Sequence, residues 1–420
     1  MLVAAIASAC LLLGLVLFVY EDSFYRRVAP IAFLIHLAFG LVVVPALPYV
    51  WDVGYFHTTA VDLLEGADPD ASDTVIAFAT FQAFLYLVFE PSVSVLAVFN
   101  ALFAVLVPIP ASYVARRLYP STTSTDGITL LVLFLPLPAF FTSVPMRDAF
   151  VLLVAFVSLA LLVRGLLDQS IRSLTLAVPL LGVLYLTRVE LALLFVLGAV
   201  AGAGTWVVLE STDREISTTT VVGLVLPVLV LGPALFSRYF PLGSVNYQRR
   251  IRMSGGAVYL EGLTYESWID VVLSGPATSI YFQFAPFPLH VDSLFHFAAA
   301  AYTPIVIVLA VSAVRSLRRG NLAYPVATML VVVYLAGVAG YGLVNSNFGT
   351  TVRHRMFFDF LLVVLAAPVV ERWERSVSER IGEWPREHDD EDEQGGEARK
   401  LYARRQIGTE DENNAHHDGN

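Results

Sequence analysis

The chain has 420 residues, of which 57% are hydrophobic and only 15% charged, and its mean hydropathy is +0.69. Soluble domains carry about a quarter charged residues, so this balance excludes an ordinary soluble protein and indicates a polytopic membrane protein. The net charge of −10 is concentrated in the tail from Glu371 onward, where 15 acids face 8 bases, and the single Cys10 excludes a disulfide framework or a Cys-rich metal site.

Met1–Tyr20 is apolar for about 20 residues, long enough at about 1.5 Å per residue to cross a hydrocarbon core. It lacks a basic leader and a small-residue cleavage site, so it reads as a retained span rather than a signal peptide. Further apolar runs fall near Val28–Val50, Val93–Val114, Ile128–Phe141, Ala149–Val163, Leu174–Leu186, Leu191–Leu209, Thr219–Phe236, Phe297–Val314, Leu322–Val344 and Met356–Val370. The expected fold is all-α, with about eleven transmembrane helices over 1–370. External loops are expected at 51–91 and 238–296, with helices in the membrane interface such as the aromatic stretch Phe78, Phe81, Leu85 and Phe89. Residues 371–420 are expected to form an acidic tail, helical to about Arg380 and then disordered, because Glu387–Glu393 cannot bury a core. Of 26 basic residues only Lys400 is a lysine, a usage that suggests a GC-rich genome such as that of a salt-adapted archaeon.

Arginines in short loops set the orientation. Arg26-Arg27, Arg116-Arg117, Arg164 with Arg172, Arg214, Arg315 with Arg318-Arg319, and Arg372 with Arg375 fall on one side under eleven alternating spans. That side is expected to be cytoplasmic. The N-terminus is then outside and the tail inside a multi-pass cell-membrane protein. The external side receives Trp51–Gly66, Met146–Asp148, Arg188–Glu190, Arg238–His296 and Asn345–Arg355, which hold most of the chemically versatile side chains.

Asp52 and His57 lie just past the end of a span, among Trp51, Tyr55 and Phe56. A carboxylate against a low-dielectric wall holds protons more tightly, which suits a general base acting on a hydroxyl. Equally, Asp52 could cap the following helix while Trp51 and Tyr55 form the aromatic belt. Arg147-Asp148 could orient a polar headgroup or form a helix cap with a local ion pair. Arg188 and Glu190 interrupt apolar sequence, where ionisable groups face each other or a polar cavity. Arg353-His354-Arg355 places two guanidiniums beside a span on the external side, which suits phosphate binding or headgroup anchoring. Arg249, Arg250 and Arg252 could act similarly. A divalent metal could be held through Asp52, His57, His290, Asp292 and His296, but no spacing is diagnostic, so no metal ligand is assigned. There is no phosphate-binding glycine loop, dinucleotide fingerprint or zinc-protease motif, and nothing indicates a nucleic-acid partner.

The order of these features resembles the polytopic GT-C class of glycosyltransferases, in particular a family 39-like enzyme. The resemblance runs through Asp52-Val-Gly-Tyr-Phe-His57, the amphipathic aromatic stretch, Asn100 through Ala115-Arg-Arg-Leu-Tyr, Phe134-Leu-Pro, Met146-Arg-Asp148, Phe284-Ala-Pro-Phe-Pro288 and Arg353-His-Arg355. It implies transfer of a sugar from a polyprenyl-phosphate donor to an extracytoplasmic glycan, lipid or protein acceptor, with membrane lipid around it. By resemblance Asp52 is the catalytic carboxylate, while Trp51, Tyr55, His57, Arg147, Asp148, Arg188, Glu190, Arg353, His354 and Arg355 bind substrate. Where many relatives carry an adjacent acid pair, this chain has Val53. A lipid-linked glycan polymerase or ligase, or a lipid or solute transporter gated by Arg188 and Glu190, are the alternatives.

Overall fold

The computed structural model describes residues 1–47, 52–211, 241–253 and 257–381. The chain divides into two units, Met1–Glu371 and Arg372–Asn420, and the site lies wholly in the first. Among the described residues the secondary structure is helical, with one isolated antiparallel β-bridge between Val258 and Asn347. Helix α1 is Leu2–Val19 and α2 is Ser23–Ala38, continued through a π-helical turn at Phe39–Val43 to Ala46. Helices α3 (Val53–Leu64) and α4 (Asp73–Val88) form a short hairpin, followed by α5 (Val93–Leu106) and α6 (Pro108–Leu118). A pair bent by 58° follows, α7 (Asp126–Phe134) and α8 (Pro136–Ser143). Then come α9 (Asp148–Leu167), α10 (Ile171–Ser211), α11 (Leu242–Ile251), α12 (Trp268–Phe284), α13 (Leu294–Arg319), α14 (Tyr324–Val344), α15 (Phe348–Leu365) and α16 (Ala367–Ile381).

Among the described residues seven helical runs, with α5 and α6 counted as one, are long and apolar enough to cross a membrane, or eight if the bent pair is one span. The expected eleven is therefore not reached, for identifiable reasons. Thr219–Phe236 lies outside the described residues, as does the tail beyond Ile381. The run Met356–Val370 falls partly in α15, whose Arg353, Arg355 and Asp359 keep it out of the count even though it is almost fully buried. The runs Leu174–Leu186 and Leu191–Leu209 merge into α10, which is continuous except at Arg188, where φ is −154° and ψ 72°.

That one residue reverses the chain. Gly165, near the C-terminal end of α9, sits against Leu174, and Gly202 sits against Leu166, so Leu174 and Gly202 share the end of α9. Arg188 instead meets Asp148, at the N-terminal end of α9. The chain therefore rises over about 21 Å from Leu174 to Arg188 and returns over a similar length to Gly202. Gly198 and Gly202 let the returning leg approach α14, where an added Cβ would lie 2.9 Å from the Met329 carbonyl and 2.8 Å from that of Pro325. Small residues four apart permit such close packing between apolar helices.

The α12–α13 connection dips into the bundle. Phe282 stacks on Tyr341 with ring centres 5.6 Å apart, and the Gln283 amide donates to Asp359 at 2.8 Å. The turn Phe284–Pro286 follows, and the chain climbs back to His296, whose ring packs against Phe348 at the start of α15. Thr303, which donates to the carbonyls of Phe284 (2.8 Å) and Pro286 (3.3 Å), lies about 13 Å along α13 from its first residue. Non-helical backbone at such depth persists only where protein groups satisfy it. Arg355 completes that function by donating to the carbonyls of Ala285 (2.6 Å) and Gln283 (3.3 Å).

The short loops sort into two ends. At one, Arg116 reaches the Tyr20 and Thr125 hydroxyls, Arg117 pairs with Asp168, the Ala323 amide donates to Leu118, and Glu371 accepts from Thr123 and Ser124. At the other lie Asp52, Arg147, Asp148, Arg188, Arg252 and Arg353, linked by the contacts given below. Asp168, the partner of Arg117, and Asp148 thus mark opposite ends of α9, and the cluster lies at the Asp148 end.

Candidate functional site

Asp148 begins α9, where the free N–H groups of the first turn favour a carboxylate. The preceding turn is pinned by buried Asn100, whose amide donates to the Val144 and Met146 carbonyls at 2.7 and 2.8 Å. The Asp148 side chain is 3% exposed, and a charge so buried requires partners. It has two. Arg188 Nη2 donates to Oδ1 at 2.7 Å, and Arg353 Nε donates to Oδ2 at 2.6 Å. The break at Arg188 thus brings one guanidinium from the α10 reversal, while the second turn of α15 brings the other.

Arg353 also donates through Nη1 to Asp52 Oδ2 at 2.8 Å. Asp52 precedes α3 and its side chain is 60% exposed, so one guanidinium joins an exposed carboxylate to a buried one. Asp52 makes no side-chain capping bond to α3. The capping alternative for Asp52 is therefore not what its side chain does in this structure.

Arg147 lies alongside, donating to the Thr187 carbonyl at 3.0 Å and packing its guanidinium 5.6 Å from the Phe56 ring centre. Burial, and then the guanidiniums of Arg188 and Arg353, pull its pKa below the ordinary arginine value. Glu190 pairs with Arg252 at 3.7 Å, and burial likewise lowers the Arg252 pKa. Counting Arg147, Arg188, Arg252 and Arg353 against Asp52, Asp148 and Glu190, the cluster has one formal positive charge in excess.

Beneath the cluster a narrow crevice of about 20 Å³, room for about one water, lies between α9, α10, α14 and α15. Its upper wall is Asp148, Arg188, Arg353, His354 and Tyr341, and its lower wall is Val151, Leu152, Leu191, Met356 and Phe357. Polar groups gather at its outer end and apolar ones at its inner end, and it must widen to admit anything larger than water.

The sequence-derived residues divide accordingly. Asp52, Asp148, Arg188, Arg353 and His354 come together, with Arg147 and Glu190 adjoining them. Arg355 does not join them. It points into the core beside Asp359, at 3.7 Å, and holds the α12–α13 turn. Tyr55 is exposed, its hydroxyl reaching the Asp70 carbonyl at 3.4 Å, and His57 Nδ1 is bonded to the Tyr86 hydroxyl at 2.8 Å, so neither lines the cleft. Trp51 lies outside the described residues. Arg249 is fully buried and donates to the carbonyls of Leu260, Leu263 and Asn345, which docks the loop that carries Arg252.

Tyr341, which lines the cleft, and Asn345, which contacts His354 from behind it, are residues to which sequence reasoning gave no role. Tyr341 was hidden in an apolar span, whereas the polar Asn345-Ser-Asn347 step before α15 was a readable signal. Among the described residues no group of three His, Cys, Asp or Glu side chains could hold a metal. His296 instead contacts Asp292, and His290 Nδ1 accepts from the Phe287 amide. No family model, curated protein or solved structure matches this chain.

Proposed function

We propose that the chain is a membrane glycosyltransferase that moves a sugar from a polyprenyl-phosphate carrier to a glycan, lipid or protein acceptor on the extracytoplasmic side. The observation that carries this reading is the bridge Asp52–Arg353–Asp148, in which a guanidinium held over an apolar-floored cleft also grips an exposed carboxylate. The excess positive charge suits a phosphate, because a guanidinium matches phosphate oxygens and keeps its charge, and the crevice would have to widen between its apolar residues to admit the start of a lipid tail.

In the resting arrangement Arg353 occupies Asp52. A donor phosphate entering the cleft competes for Arg353 and releases the carboxylate to the acceptor. The acceptor hydroxyl attacks the anomeric carbon, and its proton passes to Asp52. The bond from that carbon to the phosphate oxygen breaks, with the electron pair leaving on the phosphate, where Arg353 and Arg188 stabilise it. The cluster end faces outside and the arginine-rich loops face the cytoplasm, following the positive-inside rule.

The test is transfer by purified protein from polyprenyl-phosphate sugars, comparing wild type with Asp52→Asn and Arg353→Ala at equal folded amount. Loss in both supports the reading, while full activity in Asp52→Asn removes the general base from it. A transporter is the second reading, favoured by the single-residue break at Arg188 between two apolar legs. Uptake into vesicles without a covalent product would establish it instead.

A further inference from the structure

The polar chain behind the cleft fixes the protonation of one imidazole. Asn345 is fully buried at the end of α14, with its amide donating to the Tyr341 carbonyl at 2.9 Å and its carbonyl accepting from Arg249 at 3.2 Å. Its side chain lies between Arg252 and His354. Arg252 Nη1 contacts one terminal atom at 2.9 Å, and a guanidinium can only donate, so that atom is Oδ1. The other atom is then Nδ2, which faces His354 Nδ1 at 3.4 Å. An amide nitrogen can only donate, so Nδ1 accepts, and the ring proton resides on Nε2.

The contact is long for an N–H···N bond, but its direction is set by polarity: an Nδ1 proton would face the amide protons head-on. The imidazole is therefore neutral, and its free edge matters. His354 lines the cleft with Asp148, Arg188 and Arg353 and is partly exposed there, with the Tyr341 ring edge-on at 5.3 Å. Among the described residues no group accepts the Nε2 proton, and Nε2 is not among the sealed, unpartnered atoms of the core.

We propose that His354 presents a neutral Nε2–H donor to an anionic oxygen bound in the cleft, and that Asn345 and Arg252 are positioning residues that fix this tautomer. Glu190 holds Arg252 in place from the rim, at 3.7 Å. The design adds a directional hydrogen bond to the anion without adding another positive charge beside Arg188 and Arg353. Only the identity of the anion, a phosphoryl oxygen of a lipid carrier, rests on the glycosyl-transfer reading.

The experiment uses full-length protein labelled with 15N-histidine, with the His354 signals identified by their loss in His354→Gln. Nδ1 should be unprotonated and Nε2 protonated in the wild type. In Asn345→Asp the facing group can only accept, so the proton should move to Nδ1. A protonated Nδ1 in the wild type, or an unchanged tautomer in Asn345→Asp, overturns the relay. Geranylgeranyl monophosphate is then titrated in, and a shift of the His354 Nε2 signal is expected. An unmoved signal overturns the donor role.

In a transfer assay His354→Gln, whose amide nitrogen falls near the Nε2 position, should stay within about tenfold of wild type. His354→Asn, whose nitrogen falls near Nδ1, should lose a further tenfold to hundredfold, on the order of one hydrogen bond to a charged group. Equal losses in the two variants overturn the proposal. If the tautomer and the phosphate-induced shift are both found but the wild type forms no glycoside, the glycosyl-transfer reading falls and the His354 assignment stands.

Discussion

Arg353 holds two carboxylates in very different surroundings, so removing each partner should have very different consequences. Asp148 is 3% exposed and Arg353 12%, whereas the Asp52 side chain is 60% exposed. Breaking a buried ion pair by deleting one partner costs about 3–5 kcal/mol, because it strands the other charge. Asp148→Ala strands two guanidiniums, Arg188 and Arg353, and belongs at the upper end of that range. An exposed pair contributes about 0–1 kcal/mol, so Asp52→Ala should leave stability nearly unchanged. The assay is reversible unfolding, or thermal inactivation, in one detergent at fixed protein concentration. A double-mutant cycle should then couple Arg353→Ala strongly to Asp148→Ala and weakly to Asp52→Ala. Equal destabilisation by the two aspartate variants, or a mild effect of Asp148→Ala, would refute this division of labour.

Two further outcomes test the frame around the site. Arg355→Met should destabilise the protein by about 3 kcal/mol or more, since it leaves Asp359 unpaired and the Gln283 and Ala285 carbonyls without their donor; its KM for any donor should stay near wild type, and a rise in KM without loss of stability would return Arg355 to the phosphate site. Asp270, in a capping box with Ser267 at the start of α12, is held below the usual carboxylate pKa by hydrogen bonds from the Ser267 backbone and side chain. A carboxyl whose folded pKa is depressed contributes stability above its unfolded pKa and loses it as pH falls through the folded value. Acid titration of stability should therefore be shallower in Asp270→Asn than in wild type, and identical titrations would contradict the capping assignment.

Much of the site was legible before any fold was known, because ionisable residues in apolar sequence have few places to go. Arg188 is such a residue, and Asp148 and Arg353 stand at turns beside spans; the structure brings the three into contact through Asp148, a pairing the sequence did not indicate. Helix content was equally legible from hydropathy. What sequence could not give was direction around a helix. Arg353 and Arg355 are two positions apart, which on an α-helix turns them to roughly opposite faces, so one enters the cluster and the other the core. Nor did hydropathy announce that α15, which carries Arg353, Arg355 and Asp359, lies almost fully buried among its neighbours. The reversal at Arg188 and the inward turn at Phe284–Pro286 depend on partners far away in sequence, Asp148, Thr303 and Arg355, which no local pattern announces.

The central claim, that Asp52 accepts the proton of an acceptor hydroxyl in sugar transfer, is tested most directly by the Asp52→Asn variant supplied with a polyprenyl-phosphate sugar. A positioned general base contributes about 10²- to 10⁴-fold, so the variant should lose at least about a hundredfold in transfer rate while melting with the wild type. Wild-type turnover in a folded Asp52→Asn protein would contradict the account.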